Sequence, residues 1–269
     1  MMPFIRRLAD WIVPRLHSAR ALRAIGKMLL KNRVVKQPFH TGVICMDAVQ
    51  HSWAWTGVYR LDARDAPIQE RLLALSRSCQ TMLDVGSNLG TMAISVALRN
   101  RDIGITCVEP NGRACELLRQ SLALNRLTDR VTVVEAVAGD RDGEIGFEEG
   151  GSTTGHVAPN AAVMKPMIDF ARLVDDRAAQ GRCLVKIDVE GFEVALLSNL
   201  VRVKHLANVA LLVEVHAHGF NGCGDPRACG ERLRESGAVV TDLDGRPITS
   251  IESWTDGVKT MQLEARWPG

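Results

Sequence analysis

The sequence predicts an α/β fold: a doubly wound, mainly parallel sheet of seven strands, one of them antiparallel near the C-terminus, with a helical extension at the N-terminus. Three observations predict it. Short apolar runs alternate with helix-period segments between residues 66 and 236, as consecutive βαβ units require. The last two runs, 238–243 and 258–266, have no room for a crossover helix between them, so one must pair antiparallel. Polar residues gather where the strands run out, and ligands collect at the carboxyl ends of an open parallel sheet.

Residues 1–60 read as a basic helical extension followed by an irregular segment, and 61–269 as the α/β domain. In the extension, 3–31 has helical periodicity, with Phe4, Leu8, Trp11, Ile12 and Leu16 near one face and Pro14 kinking or breaking it. Nine basic residues against Asp10 alone give residues 1–36 a charge of +8, so a chain of +2 overall leaves −6 on the rest. Such a helix suits a peripheral contact with an anionic membrane face or a partner. The plainer alternative is a cap on the core or a dimer contact. A body of negative sign gives no support for nucleic-acid binding. A short strand is expected at 43–46, and Trp53, Trp55 and Tyr59 are expected to pack in the core.

In the domain itself, a helix over 66–78 leads into the strand 82–85. The turn Gly86-Ser87-Asn88-Leu89-Gly90 follows, and then a helix at 91–97. A strand at 103–108 ends in Glu109-Pro110, the helix 112–125 comes next, and a strand at 131–137 runs into Ala138-Gly139-Asp140. Asp142-Gly143 turns the chain into a hairpin strand at 144–147. The small-residue run 150–155 reads as a loop, either a lid or simply solvated. The strand 183–188, a helix to about residue 200, the strand 209–215 and a helix at 226–236 complete the alternation.

At 46% hydrophobic and 24% charged residues the chain can bury a substantial core. No apolar run approaches the ~20 residues of a membrane span. Seven cysteines, odd in number and without a Cys-x-x-Cys pair, suit a reduced, cytoplasmic protein, with peripheral attachment to the inner membrane face through residues 1–36 as a further expectation.

The polar residues at the strand ends carry the chemistry. After the first strand stand Asp84, Gly86, Ser87, Asn88 and Gly90; this is not the Gly-x-Gly-x-x-Gly dinucleotide fingerprint, because position 88 is Asn and position 91 is Thr. The glycines are expected to bring backbone close to a ligand, and the helix start to offer free N–H groups. Glu109, 23 positions beyond Gly86, can accept hydrogen bonds from both hydroxyls of a ribose. Asp188 and Glu190 follow the fourth strand, and Glu214 and His216 end the fifth on one face.

Asp84-Val85-Gly86-Ser87-Asn88-Leu89-Gly90 resembles motif I of the class I S-adenosylmethionine (SAM) methyltransferases. Lys186-Ile187-Asp188-Val189-Glu190-Gly191-Phe192-Glu193 resembles the Lys-Ile-Asp-x-Glu-Gly-x-Glu signature of the FkbM-type methyltransferases, with Glu109-Pro110 and Leu212-Val213-Glu214-Val215-His216 in the order that family shows. The resemblance covers roughly residues 68–220; Ser87 stands where the family usually has Ala. It implies a Rossmann-like SAM-dependent O-methyltransferase acting on a hydroxyl of a glycan or natural-product small molecule and releasing S-adenosylhomocysteine. Asp84, Gly86, Ser87, Asn88, Gly90, Glu109, Pro110, Ala136 and Val137 would hold the cofactor, the last two flanking the adenine. Asp188, His216 and Glu214 would position or deprotonate the acceptor, with Glu190 in contact with it.

Other readings stand beside this one. An amide nitrogen of a peptide is an alternative acceptor, and a silent SAM-binding scaffold on a membrane or partner is a third possibility. Lys186 and Glu193 could pair with each other or flank the site, and Glu190 could cap the following helix. Asp188, Glu214 and His216 could hold Mg²⁺; His216, His218, Cys223 and Cys229 are zinc-ligand types but match no standard spacing.

Overall fold

The computed structural model describes residues 33–51, 65–148, 155–158, 160–216, 224–248 and 260–268. The helix expected at 3–31, the Trp53, Trp55 and Tyr59 cluster, and positions 150–154 of the small-residue loop lie outside them.

The described chain begins with β1 (Val34–Phe39) and β2 (Gly42–Asp47), an antiparallel hairpin that contains the strand expected at 43–46. Then come α1 (Ala66–Ser76), β3 (Thr81–Val85), α2 (Thr91–Arg99), β4 (Gly104–Val108), α3 (Gly112–Asn125) and β5 (Val131–Val134). The hairpin sits on α3: Asn125 exchanges two hydrogen bonds with the backbone of Val43, and the Cys45 N–H donates to Ser121 Oγ at 2.8 Å.

Later elements are β10 (Cys183–Ile187), α5 (Glu193–Ser198), β11 (Val209–His216), α6 (Ala228–Glu235), β12 (Val239–Thr241) and β13 (Thr260–Arg266). The seven-stranded sheet has the order β12-β13-β11-β10-β3-β4-β5, and only β13 runs against the rest. The expected fold class is thus observed.

Side chains alternate across these strands, as a two-residue period demands. Leu83, Val85, Val185, Ile187 and Val213 pack on one face with Phe170, Leu196, Leu197 and Leu233. Met82, Ile105, Leu184 and Leu212 pack on the other with Leu72, Ile94, Leu117 and Leu118. Helices therefore cover both faces, and the strand ends are where polar groups can reach solvent.

The chain walks outward from β3 through β4 to β5, then returns to place β10 against the other edge of β3. The order reverses between β3 and β10, and a crevice opens there at the carboxyl ends of an open α/β sheet.

One expected strand is really two. Residues 131–137 divide at Glu135-Ala136: β5 ends where Val134 pairs with Val108, and β6 (Val137–Gly139) leaves for a second sheet. That sheet joins β6 to β7 (Gly143–Glu148), β8 (His156–Val157) and β9 (Met164–Asp169) in the order β6-β9-β7-β8. The hairpin strand expected at 144–147 is β7, but β9 and the helix α4 (Phe170–Ala178) behind it are additional. The accessory sheet overhangs the crevice, and Phe147 and Val157 turn their buried side chains toward it.

Candidate active site

The turn after β3 uses its glycines on the protein itself. Gly86 has φ +75°, and a Cβ there would lie 1.7 Å from the carbonyl oxygen of Asp188. Gly90 has φ +74°, and its Cβ would lie 2.2 Å from Leu118 Cδ1. Both positions need glycine so that the turn can pass beneath the β10 loop and onto α3. Gly86 also lines both of the clefts that flank the turn, whereas Gly90 lines neither. The N–H groups of Gly86 and Ser87 both donate to the Val108 carbonyl, at 2.9 and 3.2 Å, and not into the crevice.

Asp84 lies behind the turn, fully buried, with Lys186 Nζ 3.6 Å from its carboxylate. Burial pushes its pKa upward, with Lys186 working the other way. Burial likewise disfavours the charge on Lys186, but Asp188, at 3.0 Å, and Asp84 outweigh it and hold the ammonium above its ordinary pKa. Lys186 therefore pairs with the two aspartates. The alternative pairing with Glu193 is not the one formed.

Two clefts flank the turn. The first, about 750 Å³, is bounded by Val108, Glu109, Pro110, Ala136, Val137 and Phe147 among others. Glu109 is only 8% exposed, yet its carboxylate borders the space. Its Oε2 accepts from the Asn88 N–H at 2.8 Å and its Oε1 from the Asn111 N–H at 2.9 Å, leaving each oxygen a further lone pair. Burial pushes Glu109 up to about 6, against the pull of those two N–H groups.

The second cleft, about 1170 Å³, is polar. Ser87, Thr91, Lys186, Asp188, Glu214 and Gln262 face it. Gly86, Asn88, Asp188 and Glu190 line both spaces, so the two are rooms with a common wall. Asp84 and Gly90 line neither; their part is to hold that wall in place.

The end of β10 is shaped by an unusual backbone. Glu190 has φ +51° and Gly191 φ +103°, so the chain reverses sharply before α5. Glu190 does not cap that helix. No side chain caps it; Glu193, in its first turn, accepts the Gly191 N–H on Oε1 at 3.2 Å. The same Oε1 meets His216 Nδ1 at 2.8 Å. Glu193, not Glu214, thus orients the imidazole. Glu214 shares a strand face with His216, but the reversal at 190–191 brings Glu193 to the ring.

His216 Nε2 points at Asp188 Oδ1 (3.7 Å) and Glu190 Oε2 (3.6 Å). Burial lowers its pKa, but the Glu193 hydrogen bond and the charges of Asp188, Glu193 and Glu190 dominate and raise it to about 9. Such a shift favours the imidazolium at neutral pH. Burial raises Glu190 and Glu214 above the ordinary glutamate value, with Asp188 adding to both.

The structure thus brings Asp188, Glu190, Glu214 and His216 together, and sets Glu109, Pro110, Ala136 and Val137 around the neighbouring cleft. It adds Glu193, Asn111 and Phe147, which sequence reasoning did not assign. For Glu193 a signal existed: an acidic residue in the first turn of a helix. Of the zinc-type set, Cys229 is buried in the core on α6, while His218 and Cys223 lie outside the described residues. The six described cysteines are free and buried. Among the described residues no helix is long and apolar enough to cross a membrane.

No family model matches the chain, and no curated protein matches it in sequence. Solved structures do. M. jannaschii TYW2 in complex with AdoMet aligns with a TM-score of 0.50 at 12% identity, covering 88% of this chain and 86% of that one. An O-methyltransferase family protein from Burkholderia thailandensis gives 0.49 at 12% identity, over 98% of this chain and 70% of that one. The O-methyltransferase TomG from Streptomyces achromogenes, in complex with SAM, gives 0.48 at 15%, over 77% and 82%. The first of these likenesses establishes the fold as Rossmann-like, in agreement with the sheet order above.

Proposed function

We propose that this chain is a SAM-dependent O-methyltransferase whose acceptor is a hydroxyl of a glycan or natural-product small molecule. The observation that carries the proposal is the pair of clefts sharing one wall, with Glu109 bordering the first and Asp188 on the boundary. The AdoMet complex of the structurally similar TYW2 supports the choice of cofactor.

The residues present fit that group. Glu109 offers free lone pairs to two ribose hydroxyls, and Ala136, Val137 and Phe147 offer apolar surface to a flat base. On the shared wall, Asn88 Oδ1 is buried without a hydrogen-bond partner, an acceptor of the kind an α-ammonium seeks. Bound SAM would supply a methyl group made electrophilic by its sulfonium.

The chain's own contribution is positioning and proton removal. Lys186 holds one oxygen of Asp188 at 3.0 Å, leaving the other for the acceptor hydroxyl. Asp188 orients that hydroxyl and takes its proton as the new O–C bond forms. His216, charged in the free protein, does not compete for that proton but balances the carboxylates around it.

Calorimetric titration with SAM tests the first step, and absence of binding at millimolar ligand sinks the proposal. Asp188→Ala should then abolish methyl transfer to a panel of saccharide and polyketide hydroxyls while SAM still binds. A wild-type protein that binds SAM but methylates only a peptide amide moves the acceptor to nitrogen.

A further inference from the structure

We propose that Asp188, Glu190 and His216 form a site for a divalent transition-metal ion, with Glu193 as its outer-sphere support. Each of the three offers one ligand atom, and the three atoms lie within 4.8 Å of one another.

Three features separate this group from an ordinary acidic cluster. First, it contains an imidazole that is 8% exposed and whose Nε2 makes no hydrogen bond among the described residues, although two carboxylate oxygens face it. The gaps of 3.6 and 3.7 Å are too long for hydrogen bonds. They approach the separation of neighbouring ligands around one ion, about 3.0–3.5 Å for bonds of about 2.0–2.2 Å.

Second, the other ring nitrogen is already committed. Glu193 Oε1 meets Nδ1 at 2.8 Å from a fully buried position, so the ring is turned with Nε2 toward the carboxylates. Metal-bound histidines typically donate their second N–H to such a carboxylate, which fixes both tautomer and orientation.

Third, one wall of the group is open. Asp188 and Glu190 both line the polar cleft, so a bound ion would have coordination positions facing the acceptor space.

The donor set selects the ion class. One imidazole nitrogen and two carboxylate oxygens suit Mn²⁺, Fe²⁺, Co²⁺ or Zn²⁺, whereas Mg²⁺ prefers oxygen donors alone. Glu214, which the sequence grouped with Asp188 and His216, is not among the three ligand groups. Glu190 takes its place because the left-handed backbone at φ +51° redirects it. Binding of the ion needs no SAM and releases to solvent the proton that His216 carries on Nε2 in the free protein; its assignment beside the acceptor hydroxyl, where it would acidify that hydroxyl, rests on the methyl-transfer reading.

The test uses the full chain after chelator treatment, titrated with MnCl₂ by calorimetry and by loss of the free-ion paramagnetic resonance signal. Saturable binding of one Mn²⁺ per chain is expected, with MgCl₂ at least about tenfold weaker. Glu193→Gln should weaken Mn²⁺ about 10- to 100-fold, and Glu190→Gln and His216→Ala at least as much. If His216→Ala fails to fold, Glu190→Gln decides, since its side chain is 38% exposed and the change is conservative. No saturable Mn²⁺ binding, unchanged affinity in Glu190→Gln, or Mg²⁺ bound as tightly as Mn²⁺ overturns the proposal. Mn²⁺ retained by a protein that does not bind SAM supports the ion site while removing the methyl-transfer reading.

Discussion

Replacing Glu109 by Gln separates what the residue does for the fold from what it does for a ligand. Burial has lifted its pKa from 4.5 to about 6, so keeping it ionised at pH 7 costs about 2 kcal/mol of stability. That figure is already net of the Asn88 and Asn111 N–H groups, which favour the charged form, each such bond contributing about 1.5–3 kcal/mol. Glutamine removes the charge and keeps one acceptor, but turns an NH₂ toward the other N–H. The gain and the loss are similar, so the unfolding free energy should move by no more than about 1.5 kcal/mol.

Ligand binding should respond quite differently. Losing charge-assisted bonds to ribose hydroxyls at about 1.5–3 kcal/mol weakens SAM by roughly 10- to 150-fold. Isothermal titration beside urea denaturation measures both. A pH series adds a third reading. Binding uses the carboxylate, so the wild-type dissociation constant should be flat above pH 7 and rise about tenfold by pH 5, as protonation with a pKa of about 6 competes. Glu109→Gln should show no such rise. The same raised pKa acts oppositely on the fold: its penalty is full above pH 6 and is relieved as pH falls from about 6 toward 4.5. SAM affinity within threefold of wild type, or a loss of more than about 3 kcal/mol in stability, refutes this account.

Gly86→Ala should destabilise by more than about 3 kcal/mol, from a left-handed backbone and a Cβ 1.7 Å from Asp188 O. Gly104→Ala, with nothing within 4 Å of its Cβ, should stay within about 0.5 kcal/mol; equal effects in urea melts would contradict the contact assigned to Gly86. Lys186→Met leaves Asp84 and Asp188 facing each other without a cation, at a cost of about 3–5 kcal/mol at pH 8. That cost should shrink on acidification, because protonating Asp84 removes the stranded charge; thermal melts at pH 5 and 8 would show whether the gap narrows.

The sheet was legible because its strands are apolar runs broken by helical periods, whereas the strand order, with its reversal between β3 and β10, comes from the pairing alone. The accessory sheet was not. Val131 to Val137 is one unbroken apolar-rich run on paper, and only the last register pair, Val108 with Val134, shows where it leaves. Met164–Asp169 contains Lys165, Pro166 and Asp169, a composition that argues against a strand; Pro166 is tolerated in a short pair opposite Glu144. At the site, residue types at strand ends were readable, but their partners were not. Helix and strand periods say which face a side chain takes, and say nothing across a reversal such as Glu190-Gly191. Hence the pairing of Glu193 with His216 could not be read from spacing.

The common wall between the two clefts has a thermodynamic consequence. Gly86, Asn88, Asp188 and Glu190 face both spaces, and the missing Cβ of Gly86 locks the two loops back to back. An occupant of one cleft that shifts this wall changes the affinity of the other, and linkage makes the exchange symmetrical: the factor by which the first alters the second equals the factor returned. Any two ligands that occupy the two clefts are therefore linked in one cycle with a single coupling factor, measurable from either side.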